Sequence, residues 1–234
     1  MKQLLYSPRI TETAVLARDV MEDNEVPYLL GGGLAVREYG HPRASSDVDF
    51  YILRRDADRA LDALSQAGFR TRRSDAEWIY QAWKKRTRVD LIFNITSGID
   101  MNETVISRGE RHDVEGHIFS VVSKEDLLAI KISIQYENRP DWWDAASIIQ
   151  RHWETLDWDV VISYSHVTPA KFLAFCLWSV SEARDGTRPI PAWMFDVLWQ
   201  EVGRHIPELP VEKGFIKAKR EDWQVPLEPT QRIF

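Results

Sequence analysis

The sequence predicts an α+β fold, and three observations carry that expectation. Short apolar, strand-like runs alternate with amphipathic helical stretches through roughly the first 150 of the 234 residues. Beyond them the pattern turns helical, with 3.6-residue apolar stripes over 169–183 and 191–202. The composition is that of a globular chain, with 44% hydrophobic and 28% charged residues and 11 each of Gly and Pro. Such a length makes one large domain or two small ones. The change of pattern places a boundary near Arg151 to Val167, giving a mixed domain over 1–150 and a smaller helical region over 151–234 that ends in an extended tail from Pro207.

Each element has a local reason. Ala14, Val15, Ala17, Val20 and Met21 recur at helical spacing between Ile10 and Glu25, and Pro27 ends the run. Tyr28-Leu29-Leu30 reads as a short buried strand, Gly31-Gly32-Gly33 as a turn, and Leu34 to Tyr39 as a helix stopped by Gly40. After the loop 41–46, Asp47 to Leu53 reads as a strand, followed by an amphipathic helix from Asp56 to Ala67 that Gly68 closes. Ala76 to Trp83 and Arg88 to Ile95 read as paired strands turning at Lys84-Lys85-Arg86-Thr87. A further strand, His117 to Val122, leads to Ser123, whose place three residues before Asp126 predicts an N-cap for a helix Lys124 to Tyr136.

A net charge of −6 argues against a chain that wraps nucleic acid, because that affinity scales with Lys and Arg laid against phosphate. One segment departs from this balance: Arg70, Arg72, Arg73, Lys84, Lys85, Arg86 and Arg88 stand against only Asp75 and Glu77. The island reads either as two solvated hairpin ends or as a landing strip for a polyanion. Cys176, the single cysteine, lies among Phe172, Leu173, Phe175 and Leu177 and reads as a buried, inert thiol. No run is apolar enough to span a bilayer and the first residues lack a signal-peptide pattern, so a cytoplasmic protein with no membrane partner is expected. His112 and His117 suit no common zinc spacing and read as surface or loop residues. Trp78, Trp83, Trp142, Trp143 and Trp153 read as fillers of the core and of the seam between the two regions, or as platforms for a base.

Asp-x-Asp occurs three times, and context separates the copies. Asp56 and Asp58 open a helix, where carboxylates cap and complement the dipole, and Asp157 and Asp159 have no strand behind them. Asp47 and Asp49 head a strand whose period of two sets them on one face with Tyr51, while Val48, Phe50 and Ile52 turn to the other. Two carboxylates held that close resist joint ionisation, and a divalent cation relieves them. A third is at hand in Asp90, which faces away from Val89, Leu91 and Phe93 on another predicted strand; if the two strands are neighbours, the three converge. The glycine turn supplies backbone N–H groups and a helix start that a polyphosphate can approach closely.

Taken together, Gly32-Gly33, Arg43-x-Ser45-x-Asp47-x-Asp49 running into a strand, and the distant Asp90 resemble the nucleotidyltransferase superfamily of DNA polymerase beta. The stretch from Tyr28 to Ile149 is most similar to AbiEii/MenA-type nucleotidyltransferases of type IV toxin–antitoxin systems, through "YLLGGGLAVREYGHPRASSDVDFYI", "VDLIF" and "SKEDLLAIKISIQYENRPDWWDA". The resemblance implies a polymerase-beta-like domain with a mixed sheet flanked by helices. It also implies Asp47, Asp49 and Asp90 as catalytic ligands of Mg²⁺ (or Mn²⁺), with Asp90 as base for the acceptor hydroxyl. Gly32 and Gly33 would cradle the triphosphate, Lys131, Arg43 and Ser46 would contact phosphate, and Asp144 would support Lys131 or the base. The superfamily often has Gly-Ser where this chain has Gly32-Gly33, so backbone donors must replace a hydroxyl. On the residues alone, Lys131 also reads as a solvent-facing helix lysine, Arg43 as a partner of Asp47 or Glu38, and Asp141 as the N-cap of a helix starting at Trp142.

The expected activity is transfer of a nucleoside monophosphate from an NTP to an acceptor hydroxyl with release of pyrophosphate. A toxin-type enzyme would act on tRNA, through the Arg70–Arg88 hairpin, or on protein, with an antitoxin as partner. The alternatives are a small-molecule, antibiotic-modifying transferase and a non-catalytic interaction module of the same fold.

Overall fold

The computed structural model describes residues 8–135, 141–183 and 190–205. In chain order these form α1 (Pro8–Asp23), β1 (Tyr28–Leu30), α2 (Gly32–Tyr39) and β2 (Asp47–Ile52), then a 3-10 turn (Arg54–Asp56) leading into α3 (Ala57–Gln66). The hairpin region follows as β3 (Arg70–Asp75), β4 (Ile79–Lys84) and β5 (Thr87–Ile92), and then α4 (Glu103–Ser107), β6 (Glu110–Val114) and β7 (His117–Val121). Five helices complete the described chain: α5 (Lys124–Ser133), α6 (Asp141–His152), α7 (Trp158–Ser163), α8 (Pro169–Glu182) and α9 (Ala192–His205).

The strands form one mixed sheet of seven in the order β3-β4-β5-β2-β1-β7-β6, so the fold is α+β as the sequence predicts. β2 runs parallel to β5 and β1 parallel to β7, while the remaining pairs are antiparallel. The parallel β2–β5 pairing aligns Asp47 with Arg88 and Asp49 with Asp90, which is the neighbourhood the sequence left conditional. Val48, Phe50, Val89 and Leu91 are fully buried in a core that also takes Ala17 and Met21 of α1 and Ala60, Leu61 and Leu64 of α3. α5 is buried on nearly all sides, with Leu127, Leu128, Ala129, Ile130 and Ile132 all inside, because it lies among α2, α6, α7 and α8.

Several elements differ from the sequence reading. β3 and β6 are strands that periodicity does not find: Arg70-Thr-Arg-Arg-Ser-Asp75 and Glu110-Arg-His-Asp-Val114 are polar edge strands, made extended by pairing with β4 and β7. His112 and His117 consequently sit in strands, with His112 Nε2 3.0 Å from the Tyr39 hydroxyl. α4 and α7 are helices to which the sequence reading assigns no element; Asn102 and Asp157 cap them, each accepting from backbone N–H. Ser123 caps α5 as expected, accepting from Asp126 N at 3.1 Å, but the helix stops at Ser133, with Ile134 at its C-cap; Tyr136 lies outside the described residues, as does the tail from Pro207. Asp56 stands at the N-cap of α3, but its carboxylate binds Arg59 at 2.7 Å and caps no backbone N–H.

The tryptophans divide. Trp142 packs against Phe175 and Trp178, tying α6 to α8. Trp143 and Trp153, expected inside, are exposed, and Trp83 lies under the Arg70 guanidinium. Cys176 is buried as expected, and burial pushes its thiol up to about 12.

Candidate active site

Three registered strands build the floor of the site in ranks. Asp47, Arg88 and Trp83 form the first rank; Asp49, Asp90 and Gln81 the second; Tyr51, Ile92 and Ile79 the third. Because side chains two apart share a face, all nine belong to one side of the sheet, grading from charged through acidic to apolar. Above this floor lies a cavity of about 790 Å³, lined also by Gly32, Gly33, Arg43, Ser46, Lys131, Asp141 and Asp144. Every site residue expected from the sequence therefore borders one cavity.

The glycine turn is fixed by sterics. Gly32 opens α2 at φ +55°, and a Cβ there would lie 1.7 Å from Asp49 Oδ2, so any side chain would collide with the carboxylate. A Cβ on Gly33 would lie 2.7 Å from Ser45 Oγ, which thus fills the space beside the turn. Ser45 Oγ in turn donates towards Asp47, 3.2 Å from both its carbonyl oxygen and Oδ1.

Crowded carboxylates shape the electrostatics. Burial, and next the negative charges of Asp47 and Asp90, push the Asp49 carboxyl up to about 7, with Lys131 and Arg88 pulling only partly the other way. Asp90 is also raised, chiefly by burial, against the lowering effect of its 3.0 Å hydrogen bond from Gln81 Nε2 and of Arg88. Arg88 reaches over both: its Nη2 bonds Asp47 Oδ2, and its Nε stands 3.0 Å from Asp90 Oδ2 without the alignment of a hydrogen bond. Among the described residues no group of three or more His, Cys, Asp or Glu side chains is gathered closely enough to hold a metal ion. The three acids thus share a face and a cavity, with an arginine drawn between two of them. The donor set itself fits Mg²⁺: three carboxylates on one rigid floor, two of them made reluctant to ionise by their surroundings.

A second polar cluster closes the far wall. Lys131 is only 2% exposed, so its solvent-facing reading is wrong; Nζ lies 2.7 Å from Asp141 Oδ1 and 3.0 Å from Asp144 Oδ2. Arg43 pairs with neither Asp47 nor Glu38: its Nε is 3.1 Å from Asp144 Oδ1. Asp141 is the first residue of α6 and its carboxylate faces Lys131, a role that the N-cap reading missed. Gln81 has no place in the sequence reading, and Arg88 and Ser45 enter it only through the basic island and the aspartate motif, with no part in the site. The period of two that selects Asp90 also selects Arg88, whereas Gln81 needs the β4–β5 register.

Much of the basic island is engaged. Arg73 pairs with Asp58 and Asp62, Lys84 Nζ donates to the carbonyls of Ala67 and Gly68, and Arg70 stacks on Trp83.

Comparison with known proteins bears on this arrangement. The family described as "Nucleotidyl transferase of unknown function (DUF2204)" matches residues 11–172. The chain belongs to that family. As a nucleotidyltransferase it belongs to the enzymes that move nucleoside monophosphates. Its fold is similar to that of the antibiotic-resistance factor ANT(2'')-Ia, at 13% identity and TM-score 0.50, covering 70% of this chain and 95% of that one. Lower likenesses are found to the lincosamide antibiotic adenylyltransferase LnuA, lincomycin-bound (14% identity, 61% and 96% covered, TM-score 0.44). An antigenic nucleotidyltransferase-like protein from Paracoccidioides brasiliensis gives 20% identity, 70% and 90% coverage and TM-score 0.44. Among curated proteins the comparison finds no match. No helix among the described residues of this nucleotidyltransferase is long and apolar enough to cross a membrane.

Proposed function

We propose that this nucleotidyltransferase moves a nucleoside monophosphate from an NTP to the hydroxyl of a small acceptor, with Asp47, Asp49 and Asp90 holding Mg²⁺ or Mn²⁺. The observation that carries the reading is the side-by-side register of Asp49 and Asp90, one step from Asp47, beneath a glycine turn that only glycine can make. When bound, the divalent ion supplies charge neutralisation at the phosphates and acidifies the attacking hydroxyl. The chain's own groups do the rest. Backbone N–H groups of Gly32 and Gly33 at the start of α2 receive the triphosphate, helped by Ser46, Arg43 and Lys131 at the cavity wall. Asp141 and Asp144 hold Lys131 in place, and Asp90 takes the acceptor proton. This machinery is assigned to residues 1–150, taken as the domain that carries the transfer chemistry.

A small acceptor is favoured because Arg70, Arg73 and Lys84 are already matched by a ring, acids or carbonyls, which leaves Arg72, Lys85 and Arg86 as the exposed cations of the island away from the cavity. The AbiEii/MenA-type reading, with tRNA or protein as acceptor and an antitoxin as partner, is the second reading and rests on sequence resemblance. Labelled NTP offered to small hydroxyl compounds and to total RNA distinguishes them; transfer to RNA that falls steeply with added salt would select the second.

The direct test is Asp90→Asn. Pyrophosphate release with Mg²⁺ and NTP falls at least ~10³-fold while the circular dichroism is unchanged, in line with loss of a base and charged ligand. Undiminished turnover overturns the assignment. Absence of any Mg²⁺-dependent nucleotide binding in the wild type selects the non-catalytic interaction module.

A further inference from the structure

Arg88 is the residue of the acidic floor to which the transfer reading gives no part. Its place is dictated by backbone pairing: it stands opposite Asp47 across the parallel β2–β5 pair and two residues before Asp90 on the same face. A guanidinium carries donors on separated nitrogens in a rigid plane and so can address two carboxylates at once, which an ammonium does poorly. Here Nη2 takes Asp47 Oδ2 and Nε lies 3.0 Å from Asp90 Oδ2.

The fit is incomplete in two respects. Nε is buried but not aligned for a hydrogen bond, so half of the bridge is a charge contact only. On the floor itself one positive charge also stands among three carboxylates, with Lys131 easing Asp49 from the cavity wall but not offsetting its crowding. The other two cations of the cavity are committed across it, Lys131 to Asp141 and Asp144 and Arg43 to Asp144. With 42% of its side chain exposed, Arg88 has an open way off the acids into the cavity.

We infer that Arg88 is a placeholder cation: it occupies oxygens of Asp47 and Asp90 in the free enzyme, competes with the divalent ion for them, and must leave for that ion to be seated. The inference rests on the metal-ligand reading of those acids. It gives the arginine a positioning role, keeping like charges at folding distance until metal arrives, at the cost of metal affinity.

Titration of full-length wild type and Arg88→Gln with Mg²⁺ alone, followed by calorimetry and by the Mg²⁺ concentration that gives half of the maximal thermal shift, tests this. Arg88→Gln is expected to bind Mg²⁺ at least ~5-fold more tightly, a gain that structural damage would not produce. Arg88→Lys, which keeps the charge without spanning both acids, is expected between the two, and it carries the test if Arg88→Gln does not fold. Equal or weaker Mg²⁺ binding in the variants, with binding intact in the wild type, overturns the placeholder and leaves the transfer reading standing. Failure of wild type and variants alike to bind Mg²⁺, with or without NTP, overturns both.

Discussion

Asp49 shows how a single side chain can oppose the fold that holds it. Its carboxyl titrates at about 7 in the folded chain against roughly 3.9 in an unfolded one. The folded state thus binds that proton more tightly, so the contribution to stability is fully present below about pH 4 and is lost as pH rises through 7. Asp49→Asn, neutral at every pH, should raise the melting temperature at pH 8 in the presence of a chelator by about 2–6 °C, and the gain should vanish towards pH 4. Calorimetric melts of both proteins across that range check it; a destabilised variant at pH 8 would mean that Asp49 is not under like-charge pressure. Much at this scale was legible. Alternation along Asp47-Val-Asp-Phe-Tyr-Ile52 and Arg88-Val-Asp-Leu-Ile92 selects the acids that share a face, because strand side chains alternate whatever the tertiary context. Apart from Asp144 on Lys131, which the resemblance implied, partners were not legible: Arg43 meets Asp144, and Lys131 also meets Asp141, across 101 and 10 residues of chain.

At the scale of elements, the Lys131 cluster joins α5 to α6. α5 is buried on nearly all sides, so a lysine near its end needs compensation inside the protein, and α6 provides two carboxylates in its first turn. Removing the cation takes an ion pair from both buried acids, with Arg43 remaining on Asp144. Lys131→Met is therefore expected to cost about 3–5 kcal/mol, measured as a lowered urea midpoint, whereas Asp144→Asn, which leaves Asp141 on the lysine, costs less. Equal costs would show that the two carboxylates are not shared through Lys131. Elements with internal signals were legible, such as Ser123 at the start of α5. β3 and β6 were not, since polar edge strands owe their extension to a neighbour's backbone rather than to their own side chains.

For the molecule as a whole, α8 connects the sheet-bearing part to the last helices. Phe172, Leu173, Phe175 and Cys176 face inward, and Lys171 Nζ donates to Ser133 O at the end of α5. The Cys176 thiol, pushed up to about 12 by burial, reports on this contact. Alkylation by iodoacetamide at pH 8 should run at least ~10³-fold slower in the native protein than in urea, because both the thiolate fraction and access are lost. A native rate near that of a free thiol would show that α8 opens readily from α5.

The α+β class, the glycine turn, the three aspartates and the buried cysteine can be read from the residues in order, because each depends on short-range periodicity or on the chemistry of one residue. Which cations meet those acids, and that a polar hairpin arm becomes the edge of a seven-stranded sheet, emerge only in the folded chain. Electrostatic partnership and strand pairing are made across the chain, through space, and leave no period in the residues that take part.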